Sequence, residues 1–482
     1  MNESANSQAR KPVKMTRLST LEKLLAHLDE LGVDLPVEGE IDHGPDGPLA
    51  QRLHVGDAFI GNRFAILPME GWDATPDGRP TDLVRRRWRR FGESGAKLIW
   101  GGEAYAVRPE ARANPQQLCT NPETEADLAE LRGTLEEGHL AKGDATNDLM
   151  VGLQLTHSGR YSRPKDVPAP RTAYRHPILD ARVGIENDQA LLSDAELDDL
   201  IDDYVRIARA AEAAGFDFVD VKACHGYLGH ELLSARERDG VYGGDLKGRA
   251  RFLLRTIEAV RAHAPSLRIG VRLSVFDLHP FAPGEHGIGV EQASAHRPFG
   301  ASEDGSLVDL TETHQLLSWL REAGVELLCT TAGSPYYNPH TQRPAFYPPS
   351  DGYRPPEDPI VGVARQIAAV AEIKERHPDL AVIGSAYTYL QEWLPNVAQA
   401  VVRAGGADAI GLGRMVLSYP ELPRDVLSGR GLERSLVCRT FSDCTTAPRN
   451  GLVSGCYPID PFYKRRPEAE VLARIKKAGA PS

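Results

Sequence analysis

Eight short apolar runs recur along the chain and constrain its fold more than any other feature of the sequence. They are FAILPM (64–69), KLIWGG (97–102), MVGLQLTH (150–157), FDFVDVK (216–222), RIGVRLS (268–274), VELLCTT (325–331), AVIGSA (381–386) and DAIGLG (408–413). Runs of this length, rich in Val, Ile and Leu and closed by small or polar residues, are typical of strands buried on both faces of a parallel sheet.

Segments with helical periodicity separate these runs. The clearest covers residues 192–215, where Ser193 and Glu196 form a capping-box pattern and Gly215 follows the last apolar position. Eight strands alternating with helices predict the α/β class and a (β/α)₈ TIM barrel. An open doubly wound sheet is the weaker alternative, because no G-x-G-x-x-G sequence follows a strand.

The composition of the ends predicts a three-part organisation. Residues 1–50 are polar and rich in Gly and Pro, and we expect them to form an extension before the barrel. The barrel is expected over residues 51–435, where the alternation holds. Residues 436–482 carry three cysteines and are expected to pack on the barrel as a tail.

The charge and composition exclude several classes of partner. The formal net charge is −11, so no basic excess is available to neutralise nucleic-acid phosphates. The basic run RRRWRR (85–90) lies in a helical segment and is interpreted as a solvated helix face. No apolar run is long enough to span a membrane, no secretory signal is recognisable, and six cysteines do not make a disulfide scaffold. We expect a cytoplasmic protein that acts on a small-molecule substrate; a homo-oligomer is left open.

The stretch VKACHGYLGHELLS (221–234) places unusual chemistry at the end of a buried strand. Lys222, His225 and Tyr227 arrive within six positions, before a helical segment begins. Active sites of TIM barrels are built at the ends of the strands, so these side chains are candidates for catalysis.

Other strand ends offer groups for binding a ligand. Pro68, Met69 and Glu70 follow the first run, and Gln154 lies inside the third. Arg272 interrupts the apolar fifth run and needs an anionic partner if it is buried. An internal salt bridge would satisfy it, but at the functional end of a barrel an anionic ligand is the preferred interpretation.

The last two strand ends predict a phosphate site. Gly384, Ser385 and Ala386 follow the seventh run, and Gly413 and Arg414 follow the eighth. Small residues allow backbone N–H groups to approach a phosphate, and an arginine adds charge and a bidentate fork. A flat, phosphorylated, anionic cofactor suits this arrangement, and flavin mononucleotide (FMN) is the candidate.

Six stretches together resemble the old yellow enzyme family of flavin oxidoreductases, and the resemblance spans about residues 55–465. They are NRFAILPM (62–69), GLQLTHSGRYSRP (152–164), AGFDFVDVKACHGYLGHELLS (214–234), RIGVRLS (268–274), TTAGSPYYNP (330–339) and AIGLGRMVLSYPELP (409–423). Within the family, the branch containing 2,4-dienoyl-CoA reductase and trimethylamine dehydrogenase is the most similar. The resemblance and the strand ends together give the expected cofactor contacts: Pro68, Met69, Glu70, Gly102, Gln154, Arg272, Gly384, Ser385, Ala386, Gly413 and Arg414.

The resemblance also implies roles for the strand-four residues. Old yellow enzymes have His-x-x-Asn-Gly-Tyr there; in this chain Lys222 takes the histidine place, His225 the asparagine place and Tyr227 the tyrosine place. Lys222 or His225 is expected to polarise an acceptor oxygen, and Tyr227 to deliver a proton. Tyr336 falls near a catalytic histidine of dienoyl-CoA reductases and is a second candidate acid. Glu70 stands where many members have a small hydroxyl or thiol.

The C-terminal cysteines depart from the pattern of that branch. Its iron–sulfur cluster uses four cysteines, whereas this chain has Cys438, Cys444 and Cys456, of which the last two keep the family's spacing. Three thiolates do not supply the four ligands of such a cluster, so neither an iron–sulfur cluster nor another metal site is expected. The Rossmann-type domain of the longer relatives is also not expected, so NAD(P)H should donate electrons directly.

The function expected from these observations is FMN-dependent transfer of hydride from NAD(P)H to an activated alkene. One alternative is the flavin-dependent oxidation of an amine or alcohol, which His225 favours because trimethylamine dehydrogenase has a histidine at the matching place. A more distant alternative is a lyase in which Lys222 forms a Schiff base and Tyr227 acts as acid and base. A flavin-free binding barrel is disfavoured by Gln154, Arg272 and Arg414.

Overall fold

A computed structural model describes residues 12–478 and shows an eight-stranded parallel barrel surrounded by helices. The strands pair in chain order, and β8 returns to pair with β1, which closes the sheet. The barrel strands are β1 (Phe64–Ile66), β2 (Leu98–Ile99), β3 (Met150–Thr156), β4 (Phe218–Val221), β5 (Arg268–Phe276), β6 (Leu327–Ala332), β7 (Ala381–Gly384) and β8 (Ala409–Leu412). All eight predicted runs therefore form strands, and the TIM barrel is confirmed.

Helices follow most of the strands, and further helices lie in the terminal regions. They are α1 (Leu21–Leu31), α2 (Asp82–Gly92), α3 (Thr124–Ala141), α4 (Pro177–Val183), α5 (Asp194–Ala213), α6 (Leu228–Leu233), α7 (Leu246–His263), α8 (Thr311–Glu322), α9 (Pro339–Gln342), α10 (Pro359–Arg376), α11 (Leu394–Arg403), α12 (Met415–Ser418), α13 (Leu422–Leu427), α14 (Asp443–Arg449), α15 (Pro461–Lys464) and α16 (Glu468–Ala478). Two antiparallel pairs lie outside the barrel, Leu53–Val55 with Ala58–Ile60 and Phe281–Pro283 with Gly289–Glu291. A further short strand, Ala104–Ala106, pairs in parallel with β3.

Helix α5 shows how local sequence sets an element. The Ser193 side chain accepts from the Glu196 N–H, and the Glu196 carboxylate accepts from the Ser193 N–H, so both halves of the capping box are present. Gly215 follows the helix with a φ of +81°, a left-handed conformation that glycine adopts without strain. The helix then leads directly into β4, which carries the candidate catalytic residues on its loop.

The interpretation of RRRWRR as a solvated helix face is wrong for its central residues. Trp88 is fully buried, and Arg87 is buried in contact with the carboxylates of Asp73 and Glu103. The cause is the α2 periodicity, which turns these two positions toward the barrel while Arg86 and Arg90 reach Asp460 at its edge. A basic run thus forms structural ion pairs.

The two terminal regions pack closely on the barrel. Residues of the N-terminal region join the main apolar core, including Leu24 and Leu28 of α1. The Trp393 indole donates to the Leu18 carbonyl at 2.6 Å, and the Val13 N–H donates to Asp358 at 3.0 Å. The division into residues 1–50, 51–435 and 436–482 stays a prediction. Within the described part of the chain, no helix is both long enough and apolar enough to cross a membrane.

Candidate active site

A cavity of about 210 Å³ opens at the carboxyl ends of the barrel strands. Its position is the one that TIM-barrel enzymes use for catalysis. Thirteen of the fifteen residues expected from the sequence line it: Pro68, Met69, Glu70, Gln154, Lys222, His225, Tyr227, Arg272, Tyr336, Ser385, Ala386, Gly413 and Arg414. Residues up to 346 positions apart in sequence therefore meet in one place.

Gly102 and Gly384 lie outside this lining. A Cβ atom at Gly102 would come within 2.3 Å of the Trp88 ring, so packing against α2 explains that glycine. A Cβ atom at Gly384 would lie 3.0 Å from the Tyr387 hydroxyl. Their assignment as cofactor contacts stays a prediction that the cavity does not support.

A left-handed turn after β4 sets the position of His225. His225 has a φ of +65° and Gly226 a φ of +76°, and the His225 N–H donates to the Ser274 hydroxyl at 3.1 Å. The imidazole Nε2 lies 3.2 Å from Gln342 Nε2 and 3.4 Å from Thr331 Oγ1. Burial, reinforced by nearby Arg272 and Lys222, lowers the pKa of His225 well below its usual value, so the ring is neutral at physiological pH.

Lys222 enters the cavity as one half of an ion pair. Its ammonium lies 3.0 Å from Glu70 Oε1 and 4.2 Å from the centre of the Tyr227 ring. Glu70 Oε2 accepts from the Trp72 indole at 3.0 Å, so the carboxylate is held on both sides. The acidic residue that replaces the family's small hydroxyl or thiol thus balances the lysine that replaces the family's histidine.

Two tyrosine hydroxyls meet inside the cavity. Tyr227 and Tyr336 have their oxygens 2.9 Å apart, and the Tyr227 hydroxyl also lies 3.4 Å from Glu70 Oε2. The Tyr336 ring stacks on Tyr161 with centres 3.8 Å apart, which fixes its orientation. Burial, with the Glu70 charge as the next cause, raises the pKa of both phenols, so both hydroxyls keep their protons at neutral pH.

Asp220 organises the floor of the cavity and was not expected from the sequence. Its carboxylate accepts from the side chains of Trp100 and Gln154 and from the Arg272 N–H, each at 2.6 Å. Burial raises the pKa of Asp220, and the three donors oppose that shift. Because Gln154 donates its amide N–H₂ to Asp220, its carbonyl oxygen remains free to accept from a ligand.

The cavity has unsatisfied donors that fit FMN. Arg272 Nε and Arg414 Nη1 are buried and have no hydrogen-bond partner among the residues that the structure describes. Small residues at the ends of β7 and β8, namely Ser385, Ala386 and Gly413, line the same wall as Arg414. These residues suit a flat ring system with a polar edge and a phosphate, because the buried guanidinium groups require anionic or acceptor atoms.

The C-terminal region also contributes to the cavity, a contribution that no motif in the sequence predicts. Cys444, Thr445, Pro448 and Arg449 of α14 line it. The cysteines of the chain are all unpaired. Across residues 12–478, no group of three or more His, Cys, Asp or Glu side chains is arranged to hold a metal ion.

A model of the NADH:flavin oxidoreductase / NADH oxidase family matches residues 48–311, more than half of the chain. The chain belongs to this family. It is accordingly an oxidoreductase of the old yellow enzyme type, for which the family implies FMN as the flavin and NAD(P)H as the electron donor.

Individual relatives agree with this assignment. The chain is 36% identical over 271 residues to 12-oxophytodienoate reductase 1 of Oryza sativa subsp. japonica, a match that covers 52% of this chain and 66% of the relative. It is 28% identical over 288 residues to an NADPH dehydrogenase of Bacillus velezensis, covering 58% of this chain and 72% of the relative.

Solved structures agree on the fold. A 2-naphthoyl-CoA reductase in complex with 2-naphthoyl-CoA superposes with a TM-score of 0.64 at 17% identity, over 86% of this chain and 57% of that longer chain. This chain thus spans little more than half the length of that protein. At this identity the likeness concerns the barrel and its surroundings alone.

Buried histidines predict an acid-sensitive fold. Burial lowers the pKa of His157 to about 3, and its Nδ1 accepts from the Gly159 N–H at 3.0 Å. Below pH 6.5 the unfolded chain binds a proton here that the folded chain does not, so stability should fall by about 1.4 kcal/mol per pH unit for this residue. Asparagine keeps an acceptor near the Nδ1 position and cannot titrate.

Between about pH 7 and pH 5 the unfolding free energy of the parent protein should fall as the pH is lowered. We expect His157→Asn to reduce the slope of that fall by up to about 1.4 kcal/mol per pH unit. Urea titrations across this range measure it, with His263→Asn at the exposed end of α7 as the matched control. A slope equal to that of the parent protein would contradict the prediction.

Proposed function

We propose that the chain reduces a carbon–carbon double bond conjugated to a carbonyl group, with NAD(P)H as the electron donor. In the net reaction, two electrons and a proton leave NAD(P)H as hydride, a second proton comes from the protein, and the alkene becomes an alkane. FMN, when bound along Gln154, Arg272 and Arg414, supplies the hydride-transfer chemistry. The rice relative is named a reductase and the Bacillus relative an NADPH dehydrogenase, which supports this direction.

The observation that carries the proposal is the meeting of protonated donors in one cavity. The hydroxyls of Tyr227 and Tyr336 lie 2.9 Å apart, and the Lys222 ammonium lies beside the Tyr227 ring. A carbonyl-activated alkene needs a donor at its oxygen and an acid at the carbon next to the carbonyl. Lys222 serves as the donor to the oxygen, and Tyr227 as the acid.

Glu70 positions these groups. Its carboxylate holds the Lys222 nitrogen through Oε1, while Oε2 faces the Tyr227 hydroxyl at 3.4 Å. The negative charge of Glu70 raises the pKa of Tyr227 in the site without substrate. The Tyr227 hydroxyl therefore keeps its proton until it is transferred to the substrate. Proton delivery then leaves a phenolate close to the Lys222 ammonium, which stabilises it.

Oxidation of an amine is the competing candidate, and neutral His225 supports it because an unprotonated imidazole can accept a proton. The net positive charge of the cavity opposes it, because Lys222 and four arginines line the cavity against the single carboxylate of Glu70, so a cationic amine would be repelled. The Schiff-base candidate requires a free amine, whereas Glu70 engages the Lys222 nitrogen at 3.0 Å. Reduction is therefore the better-supported direction.

Two measurements on the purified chain test the proposal. We expect flavin absorption bands in the blue and near-ultraviolet, loss of those bands on anaerobic mixing with NADPH or NADH, and their recovery on adding 2-cyclohexenone. Trimethylamine and primary alcohols should leave the bands of the untreated protein unchanged. Bleaching by an amine and no recovery with an enone would reverse the proposed direction, and folded protein that takes up no added FMN would defeat it entirely.

A further inference from the structure

Two guanidinium groups line the same cavity, and neither is paired with a carboxylate of the described residues. Arg343 lies between β6 and α10, and Arg414 is the second residue after β8. Arg343 Nη1 donates to the Thr445 hydroxyl, and Arg414 Nη2 donates to the Pro344 carbonyl at 3.0 Å. Arg343 Nη2 and Arg414 Nη1 are both buried, and neither has a hydrogen-bond partner in the described part of the chain. Neither arginine forms an ion pair with a carboxylate among residues 12–478.

This arrangement is electrostatically unfavourable as it stands. Burial, followed by the charges of Arg449 and Arg414, lowers the pKa of Arg343 to about 9, although an arginine normally keeps its proton at any physiological pH. Asp351 relieves it only in part, because both of its oxygens lie 2.9 Å from Arg449 and neither pairs with Arg343. Burial raises the pKa of the neighbouring Cys444 thiol, so a thiolate does not supply the missing charge either.

We propose that Arg343 and Arg414 together bind the phosphate monoester of the flavin, and that α14 holds Arg343 in place through Thr445. The inference rests on the proposed flavin function and adds Arg343 and the C-terminal region to the cofactor site. A dianionic phosphate matches two guanidinium groups in charge and offers acceptor oxygens for their free N–H groups. The small residues Ser385 and Gly413 line the same cavity, where they leave space for the phosphate oxygens.

The arrangement couples three distant segments of the chain. Arg343 depends on the hydroxyl of Thr445, which lies 102 positions later. Arg414 depends on the Pro344 carbonyl, which directly follows Arg343. Binding of the phosphate therefore connects the β6 loop, the end of β8 and α14. The C-terminal region thus takes part in binding the cofactor, in addition to packing on the barrel.

Comparing FMN with riboflavin isolates the phosphate, because the two ligands share the same ring system. In the full chain freed of flavin, we expect Arg343→Gln to raise the Kd for FMN by about 10- to 100-fold, the effect of losing a charge-assisted hydrogen bond. The Kd for riboflavin should stay at its parental value. Quenching of flavin fluorescence measures both constants. Inorganic phosphate should raise the melting temperature of the parent apoprotein and not that of the variant.

Matched variants separate this role from general damage. Arg376→Gln removes an exposed arginine of α10 and should change neither constant. Thr445→Val should weaken FMN binding as Arg343→Gln does, but to a smaller extent. Arg343→Lys should retain part of the preference for FMN over riboflavin because it keeps the positive charge. If Arg343→Gln is not folded by circular dichroism, these two variants carry the test.

Three outcomes would overturn the proposal. Equal weakening of FMN and riboflavin would show that Arg343 supports the fold or the ring rather than the phosphate. An unchanged FMN Kd would remove Arg343 from the site while leaving the proposed function intact. A changed preference for NADPH over NADH in the FMN-loaded variant, with both flavin dissociation constants unchanged, would show that Arg343 and Arg414 bind the phosphate of the nicotinamide cofactor instead. A parent chain that binds neither flavin would instead defeat the proposed function.

Discussion

Tyr227→Phe should slow the reduction of an enone by about 10²- to 10⁴-fold, the usual contribution of a positioned general acid. The phenyl ring keeps its place because the Lys222 ammonium, 4.2 Å from the ring centre, contacts the ring rather than the hydroxyl. The oxidation of NAD(P)H requires no proton from Tyr227, so bleaching of the flavin bands should stay close to the parental rate. Stopped-flow absorbance resolves the two half-reactions separately.

The neighbouring hydroxyl makes a second variant informative. Tyr336 lies 2.9 Å from Tyr227 and is equally protonated, so Tyr336→Phe tests whether it is the acid instead. Tyr242→Phe, whose hydroxyl contacts Asp198 and Arg255 outside the barrel, is the matched control. If Tyr227→Phe slowed both half-reactions equally, the hydroxyl would serve flavin binding rather than proton delivery.

The barrel could be predicted from the sequence because each strand is an apolar run and each boundary has a local signal. The run FDFVDVK became β4, and the capping box at Ser193 marked the start of α5. Strand order follows from the closure of a parallel sheet with short connections. The α2 segment shows what local sequence patterns cannot predict. Periodicity located the helix, but the burial of Arg87 depends on ion pairs with Asp73 and Glu103, which periodicity does not identify as partners.

The cavity could be predicted as far as its residues follow strands. Lys222, His225 and Tyr227 leave β4 together, and Arg414 leaves β8, so the barrel geometry alone brings them to one end. The contributions of Arg343 and Thr445 could not be predicted, because they come from a long loop and from a region that the barrel pattern does not position. The signal for Arg343 is a buried donor without a partner among the described residues, which only three-dimensional packing reveals.

The ion pair between Glu70 and Lys222 lies between these cases. Both residues were expected in the cavity, Lys222 from its strand and Glu70 from its place beside Pro68 and Met69. Their pairing was not expected, because β1 and β4 are not adjacent in the sheet. The spacing of residues along the sequence does not indicate which side chains meet across the mouth of the barrel. The pairing matters chemically, because it changes an isolated cation into a neutral couple.

Asp220→Ala should lower the free energy of unfolding by about 3–5 kcal/mol, because it leaves buried donors without an acceptor. Trp100 and Gln154 would each lose a 2.6 Å hydrogen bond from their side chains, and the Arg272 N–H would lose a third. These donors come from β3, β5 and the end of β2, so one carboxylate joins three elements of the barrel. Urea-induced unfolding monitored by circular dichroism measures the loss.

The same substitution should reach the cofactor, because Asp220 fixes which end of the Gln154 amide faces the cavity. Free rotation of that amide should weaken flavin binding in any fraction of Asp220→Ala that folds. Asp220→Asn keeps the volume but replaces one acceptor oxygen with an N–H₂ group, so it should lose less stability than alanine and still disturb Gln154. Asp199→Ala, on the exposed face of α5, controls for loss of a carboxylate as such. A small stability change in Asp220→Ala would mean that water replaces the carboxylate among the three donors and that the barrel floor tolerates it.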